Sequence, residues 1–216
     1  MSVFNNEEYI EWRRVRLQMI TNLFGNEYFA NKKVLELGCG NGHIGNWFEE
    51  KGAIVTFAEG RPENIAAINK TNPESKVVHL NQEFKWYLGE KFDVIIHWGV
   101  LYHLDNWRQD LISVCKQTDL LFLETEVTDS SDPNIEPKIG ESRAAQDQTL
   151  AMSGLGTRPS PLAIENVLHE CGMVFVRYDD PSINTGQRCY DWDELNDGNW
   201  QRNGKTLRRF WIVRRK

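Results

Sequence analysis

Val34-Leu35-Glu36-Leu37-Gly38-Cys39-Gly40-Asn41-Gly42 decides the fold. An apolar run breaks into three glycines at every second position, and a helical pattern through Trp47, Phe48 and Lys51 follows. A strand that ends in such a loop and opens a helix is the first crossover of an open α/β sheet, where ligands sit beyond the carboxyl ends of the strands. Glycine permits the tight turn and lets a ligand reach the backbone without meeting a Cβ.

The flanking segments agree with that crossover. Upstream, residues 7–24 predict an amphipathic helix, with Tyr9, Trp12, Val15, Met19, Ile20 and Leu23 at three- and four-residue spacing and Arg13, Arg14 and Gln18 on the other side. Gly25 is its expected stop, and residues 1–30 read as an N-terminal helical cap. Downstream, strands are expected at 53–58 (ending at Glu59), 76–80, 92–96, 119–124, 173–178 and 207–213. Helices are expected from Pro62, from Asp105 as N-cap and from Ser160-Pro161. Strands alternating with helices predict a doubly wound α/β domain with a mainly parallel sheet, one domain over 1–216. Two connections are long. Residues 125–160 are expected to form a lid or substrate insertion, and residues 179–205 precede the final strand. Residues 202–216 hold seven basic and no acidic residues and read as a sheet-edge strand protected by charge.

Composition narrows the function classes. The 216 residues carry 25 Lys+Arg against 31 Asp+Glu, a net charge of −6, and 40% are hydrophobic. That supports a sizeable single core and weighs against nucleic-acid binding, which rests on a basic footprint. No apolar run approaches the ~18 residues of a membrane span. The start is acidic where a signal peptide would be basic, so a cytoplasmic protein without membrane contact is expected. Cys39, Cys115, Cys171 and Cys189 are widely spaced, which indicates neither a zinc site nor a disulfide framework, and no metal is expected. Oligomeric state is not encoded in any pattern of the sequence.

The ligand follows from the carboxylates around the loop. Glu59, at the end of the second strand, is placed to accept hydrogen bonds from both hydroxyls of a ribose, so a nucleoside-containing cofactor is expected. Two cofactors compete. Gly40-Asn41-Gly42-His43-Ile44-Gly45 matches the dinucleotide pattern, with Glu59 19 residues after Gly40, which would make the protein an NAD-dependent oxidoreductase. Glu36, two residues before Gly38, opposes that reading, because a pyrophosphate gains nothing from a carboxylate close by. A sulfonium cofactor has no phosphate and carries an ammonium, and it tolerates the acid.

Residues 34–42 resemble motif I of the class I S-adenosylmethionine-dependent methyltransferases, and residues 92–104 (FDVIIHWGVLYHL) resemble that family's fourth-strand motif. The resemblance runs from about residue 30 to the C-terminus. It implies a Rossmann-like, seven-stranded sheet with the last strand antiparallel, and S-adenosylmethionine as cofactor with S-adenosylhomocysteine as product. By position it implies that Gly38, Cys39, Gly40, Asn41 and Gly42 face the methionine and ribose, that Glu36 lies under the loop, and that Glu59 holds the ribose hydroxyls. Arg61 is expected over the adenine edge, with Gln82 or Glu83, followed by Phe84, near the adenine amino group. His97, Trp98, Gly99 and Tyr102 are expected to line the cofactor from the fourth strand's end. Residues 99–103 with Leu123-Glu124-Thr125 look closest to the wobble-uridine carboxymethyltransferase branch. The chain departs from that branch in lacking its long N-terminal extension, so the branch is a guide to architecture only.

Methyl transfer is an in-line displacement, for which orientation contributes about 7–11 kcal/mol. Trp98 and Tyr102 are candidates to face the cationic sulfur. His103 is the expected general base if the acceptor is a neutral hydroxyl or amine. For an anionic acceptor, Arg13, Arg16, Arg143 and Arg158 are the expected contacts, with Tyr102, Gln146, Asp147 and Gln148 as further substrate candidates. The expected substrate is a small molecule methylated at oxygen. A tRNA or other nucleic acid is the alternative.

Overall fold

The computed structural model describes residues 3–141 and 149–216. The expected crossover is present: β1 (Lys33–Leu37) runs into the glycine loop and then α2 (His43–Glu50), behind an N-terminal helix α1 (Glu7–Phe24). Asn6 caps α1 by accepting from the Tyr9 amide at 2.8 Å, and Gly25 ends it at φ 81°. The chain continues through β2 (Ile54–Glu59), α3 (Pro62–Thr71), β3 (Lys76–His79), β4 (Val94–Trp98), α4 (Trp107–Cys115) and β5 (Leu120–Glu126). A small antiparallel pair follows, β6 (Lys138–Gly140) with β7 (Leu155–Thr157), inside the long insertion. Then come α5 (Pro161–Glu170), β8 (Met173–Arg177), β9 (Arg188–Cys189), β10 (Gln201–Arg202) and β11 (Lys205–Arg215).

The sheet order is β3-β2-β1-β4-β5-β11, with β8 on the far side of β11. Every pair from β3 to β5 is parallel, and β11 is antiparallel to both β5 and β8. Two further strands, β9 and β10, pair with the start of β11 and bring the sheet to nine. They come from the 179–205 connection, whose two-residue pairings are too short to show as an alternating pattern.

Side chains alternate across the sheet and build two cores. Leu35, Leu37, Ile95, Leu121, Leu123, Trp211 and Val213 face α4 and α5. Val34, Val94, Ile96, Trp98, Phe122 and Phe210 face α1 and α2, where Trp12, Ile20, Ile44 and Phe48 pack on them. Two expectations fail. β11 is not an edge strand: β5 and β8 flank it, and its Arg208 and Arg209 are buried. Arg208 serves buried ion pairs with Glu124 and Glu126, and Arg209 donates to the Tyr190 and Trp192 carbonyls, so neither defends an edge. Asp105 does not cap α4 either. The N-cap is Asn106, without a side-chain bond, and the Glu83 carboxylate accepts from the Asp105 and Asn106 amides at 3.0 and 3.3 Å. An acid from a neighbouring loop thus takes the capping place. No helix among the described residues is long and apolar enough to cross a membrane.

Candidate active site

Two cavities meet above the carboxyl ends of β1, β4 and β5. The first has the glycine loop as one wall. Gly38, Gly40 and Gly42 all sit at positive φ (58, 55 and 75°), a region that side chains with a Cβ rarely adopt. The loop is held from below by two carboxylates. Glu36 Oε2 accepts from the Gly45 amide at 2.8 Å, and this satisfies one of the orphan donors at the start of α2, whose N-cap Gly42 has no side chain to do so. Glu59 accepts from Gly40 at 2.8 Å and from Arg61 at 2.9 Å. Gly45 is required by close approach: a Cβ there would lie 2.6 Å from Glu36 Oε2 and in collision with Phe57. The Phe4 ring covers the loop, 2.8 Å from where a Cβ on Gly40 would stand, and Arg13 donates to the Phe4 carbonyl at 2.7 Å.

Among the described residues, no cationic side chain is bonded to either carboxylate. Burial pushes Glu36 up to about 8, reinforced by Glu59 and opposed by the Gly45 amide and by Arg13 nearby. Burial likewise raises Glu59, against the pull of the Arg61 and Gly40 amides. Such a wall favours a cationic ligand, since a positive charge brought near lowers both groups toward their ordinary range. The residues therefore fit an adenosyl sulfonium with its ammonium, and they leave oxygen lone pairs on Glu59 for ribose hydroxyls. A pyrophosphate meets the wrong sign of charge.

The second cavity, of about 420 Å³, shares Tyr9, Tyr102, His103 and Arg188 with the first. That size suits a small molecule. Its floor is a chain of buried ion pairs. From α1, Arg16 donates to the Tyr190 hydroxyl, which donates to Glu124. Arg208 bridges Glu124 (3.0 Å) and Glu126 (2.8 Å), and it also reaches the Tyr102 hydroxyl at 3.2 Å. Arg158 then bridges Glu126 (2.9 Å) and Glu141 (3.1 Å), and His103 Nδ1 lies 2.9 Å from the other Glu141 oxygen. Burial alone would raise Glu141, but His103, the Ala151 amide and Arg158 hold it down to about 2. An ionised carboxylate only accepts, so Nδ1 carries the proton and Nε2 is the basic nitrogen of the neutral ring.

The methyltransferase-domain family model matches residues 9–177, most of the chain. The chain belongs to that family. Its fold is shared with solved structures of low identity. The N-terminal domain of EvdMO1, with SAH bound, superposes with a TM-score of 0.66 at 16% identity, over 95% of this chain and 80% of that one. Magnesium protoporphyrin IX methyltransferase from Synechocystis, with SAH, gives 0.63 at 12% identity over 100% and 89%. The 1,6-didemethyltoxoflavin-N1-methyltransferase of Burkholderia thailandensis, with bound 1,6-didemethyltoxoflavin and S-adenosylhomocysteine, gives 0.58 at 17% over 97% and 79%. No curated protein matches the sequence.

Within this methyltransferase domain, Glu36, Gly38, Cys39, Asn41, Glu59, Arg61, Gln82, Glu83, Trp98, Gly99 and Tyr102 line the first cavity. Gly40 and Gly42 shape the loop from behind, against Phe4 and Phe57. Phe84 and His97 stand apart from the cavity. Phe84 is exposed, and His97 is wholly buried on the opposite face of β4, its Nε2 2.7 Å from Asp110, which also takes Gln82 and Trp86. Strand alternation explains it: Ile96 and Trp98 face the site, so the residue between them cannot. Arg13 lies on the first cavity and Arg158 on the second, whereas Arg16 is sealed beneath both. Arg143, Gln146, Asp147 and Gln148 lie outside the described residues.

The sequence reading missed Glu126, Glu141, Arg188 and Arg208. Glu124 and Glu126, two apart at the end of β5, offered one signal, since such a pair shares a face and asks for cations opposite. Arg188 and Glu141 gave none, being isolated residues in long connections.

Proposed function

We propose that the protein transfers a methyl group from S-adenosylmethionine to a hydroxyl oxygen of a small molecule, with His103 as general base. The observation that carries this reading is the His103–Glu141 pair at the junction of the two cavities. Glu141 fixes the ring and its tautomer, so Nε2 is the nitrogen that takes the acceptor's proton as the oxygen attacks, and the imidazolium formed is stabilised by the same carboxylate. When bound, the cofactor supplies a methyl carbon already activated by positive sulfur.

The chain's own residues do the rest. Glu59 is the ribose contact, the Gly38–Gly42 backbone approaches the methionine portion, and Glu36 balances its charge. Arg61, with Gln82 and Glu83, borders the adenine end. Trp98 and Tyr102 present ring faces near the reacting centre. Residues 1–30 act as a cap, with Phe4 held over the loop by Arg13, and the 125–160 insertion acts as a lid that excludes water. SAH in the neighbouring structures supports the cofactor. A small-molecule acceptor is favoured over a nucleic acid because Arg208 and Arg209 of the basic C-terminal stretch are buried, and a phosphate backbone needs surface cations.

The test is His103→Gln. Turnover of labelled cofactor on a responsive hydroxyl acceptor falls by about 10²–10⁴-fold, while S-adenosylhomocysteine still stabilises the variant thermally. Full activity in the variant sinks the base assignment, and stabilisation by NAD in place of S-adenosylhomocysteine sinks the cofactor.

A further inference from the structure

The arginines around the two cavities differ in one respect. Arg158 is neutralised by Glu126 and Glu141, Arg208 by Glu124 and Glu126, and Arg61 approaches Glu63. Arg13 donates to the Phe4 carbonyl. Arg188, half-buried in β9 and lining both cavities, stacks its guanidinium 5.0 Å from the Tyr9 ring centre and 5.8 Å from that of Trp12. Among the described residues it has neither a carboxylate partner nor a hydrogen-bond acceptor for its side chain. The remaining acid of the second cavity outside the ion-pair chain, Glu8, is exposed at the rim and makes no ion pair with it.

A second observation points the same way. The Trp12 indole N–H is buried and has no hydrogen-bond partner among the described residues, and Trp12 lines the first cavity beneath Arg188. Indole nitrogen only donates. One wall thus presents a guanidinium without an acceptor, stacked on a ring whose buried N–H also lacks one among the described residues, beside a floor whose charges cancel among themselves. Stacking on two rings strips water from the guanidinium faces and leaves its edge donors in one plane, the geometry that matches a carboxylate with two parallel bonds.

We propose that Arg188 anchors a carboxylate of the methyl acceptor, so that the substrates are hydroxy acids held by Arg188 at one end and presenting the hydroxyl to His103. This rests on the methyl-transfer reading above and adds the substrate class to it. The test uses calorimetric titration of the SAH-saturated full chain at fixed ionic strength, with benzoate as the carboxylate probe and benzamide as its uncharged counterpart. Wild type is expected to prefer benzoate by about tenfold or more, as a charge-assisted pair requires. Arg188→Gln brings the preference below about threefold, and Arg188→Lys retains part of it, since the charge stays and the fork is lost. Binding of S-adenosylhomocysteine by each variant shows that it folds. Equal affinity for the two probes in wild type, no binding of either, an undiminished preference in Arg188→Gln, or tighter binding of phenyl phosphate than of benzoate overturns the assignment. Failure of wild type to bind S-adenosylhomocysteine overturns the methyl-transfer reading instead.

Discussion

The two walls of the site handle the same chemical group in opposite ways. On the glycine-loop wall, Glu36 and Glu59 are met by backbone amides, and burial raises both. On the acceptor wall, Glu124 and Glu141 are just as removed from water, yet guanidinium groups and His103 hold them below the ordinary carboxylate range. The first wall has unspent affinity for positive charge. The ion-pair chain of the second is internally neutral and gains rigidity, because each of its carboxylates is fixed from two sides. A site that must receive a cation and then orient an acceptor needs one wall of each kind.

The contrast breaks most visibly at Arg158. Arg158→Met leaves Glu126 and Glu141 buried without their shared partner, and the loss is expected at about 3–5 kcal/mol in denaturant unfolding. A loss under about 1 kcal/mol would mean the acceptor wall is not held by its ion pairs. Next in size is the acid limb of the stability curve. Glu141 lies near 2 when folded against an ordinary 4.5. Its contribution is therefore complete above 4.5 and disappears as pH falls toward 2, and Glu141→Gln flattens that limb. Gly45→Ala tests the other wall, where the added methyl meets Phe57 and Glu36; overpacking of this kind costs about 1–3 kcal/mol. The last prediction is the most diagnostic. With Glu36 near 8, wild type loses stability as pH rises from 4.5 to 8, and Glu36→Gln removes that slope. At pH 7 the ammonium of S-adenosylhomocysteine then drives part of a proton off Glu36, measured by calorimetry in buffers of different ionisation enthalpy. Zero proton release would erase the difference between the walls.

These walls were not equally legible in the amino-acid order. The glycine loop, Glu36 and Glu59 lie within 26 residues and obey local rules of turn, strand and helix start, so periodicity and spacing reach them. The parallel order of β1 to β5 follows from the same alternation. The acceptor wall draws on residues 102, 126, 141, 158, 188 and 208, which meet only because β11 returns between β5 and β8. Arg208 shows the difficulty: in sequence it belongs to a basic run that reads as edge defence, and only its register opposite Glu126 reveals a buried partner. His97 erred for the opposite reason. The motif fixes its place in β4, but strand alternation turns its side chain away from the site and onto Asp110.

The position of β11 also bears on biogenesis. Strands β1 to β5 are complete once residue 126 has left the ribosome, so the glycine loop can form early, as domains generally fold from the N-terminal side during synthesis. The slot beside β5 waits for residues 205–215, and with it Glu124 and Glu126 wait for Arg208. Until Arg208 arrives, the two acids lack their cation and the margin of β5 lacks its partner strand.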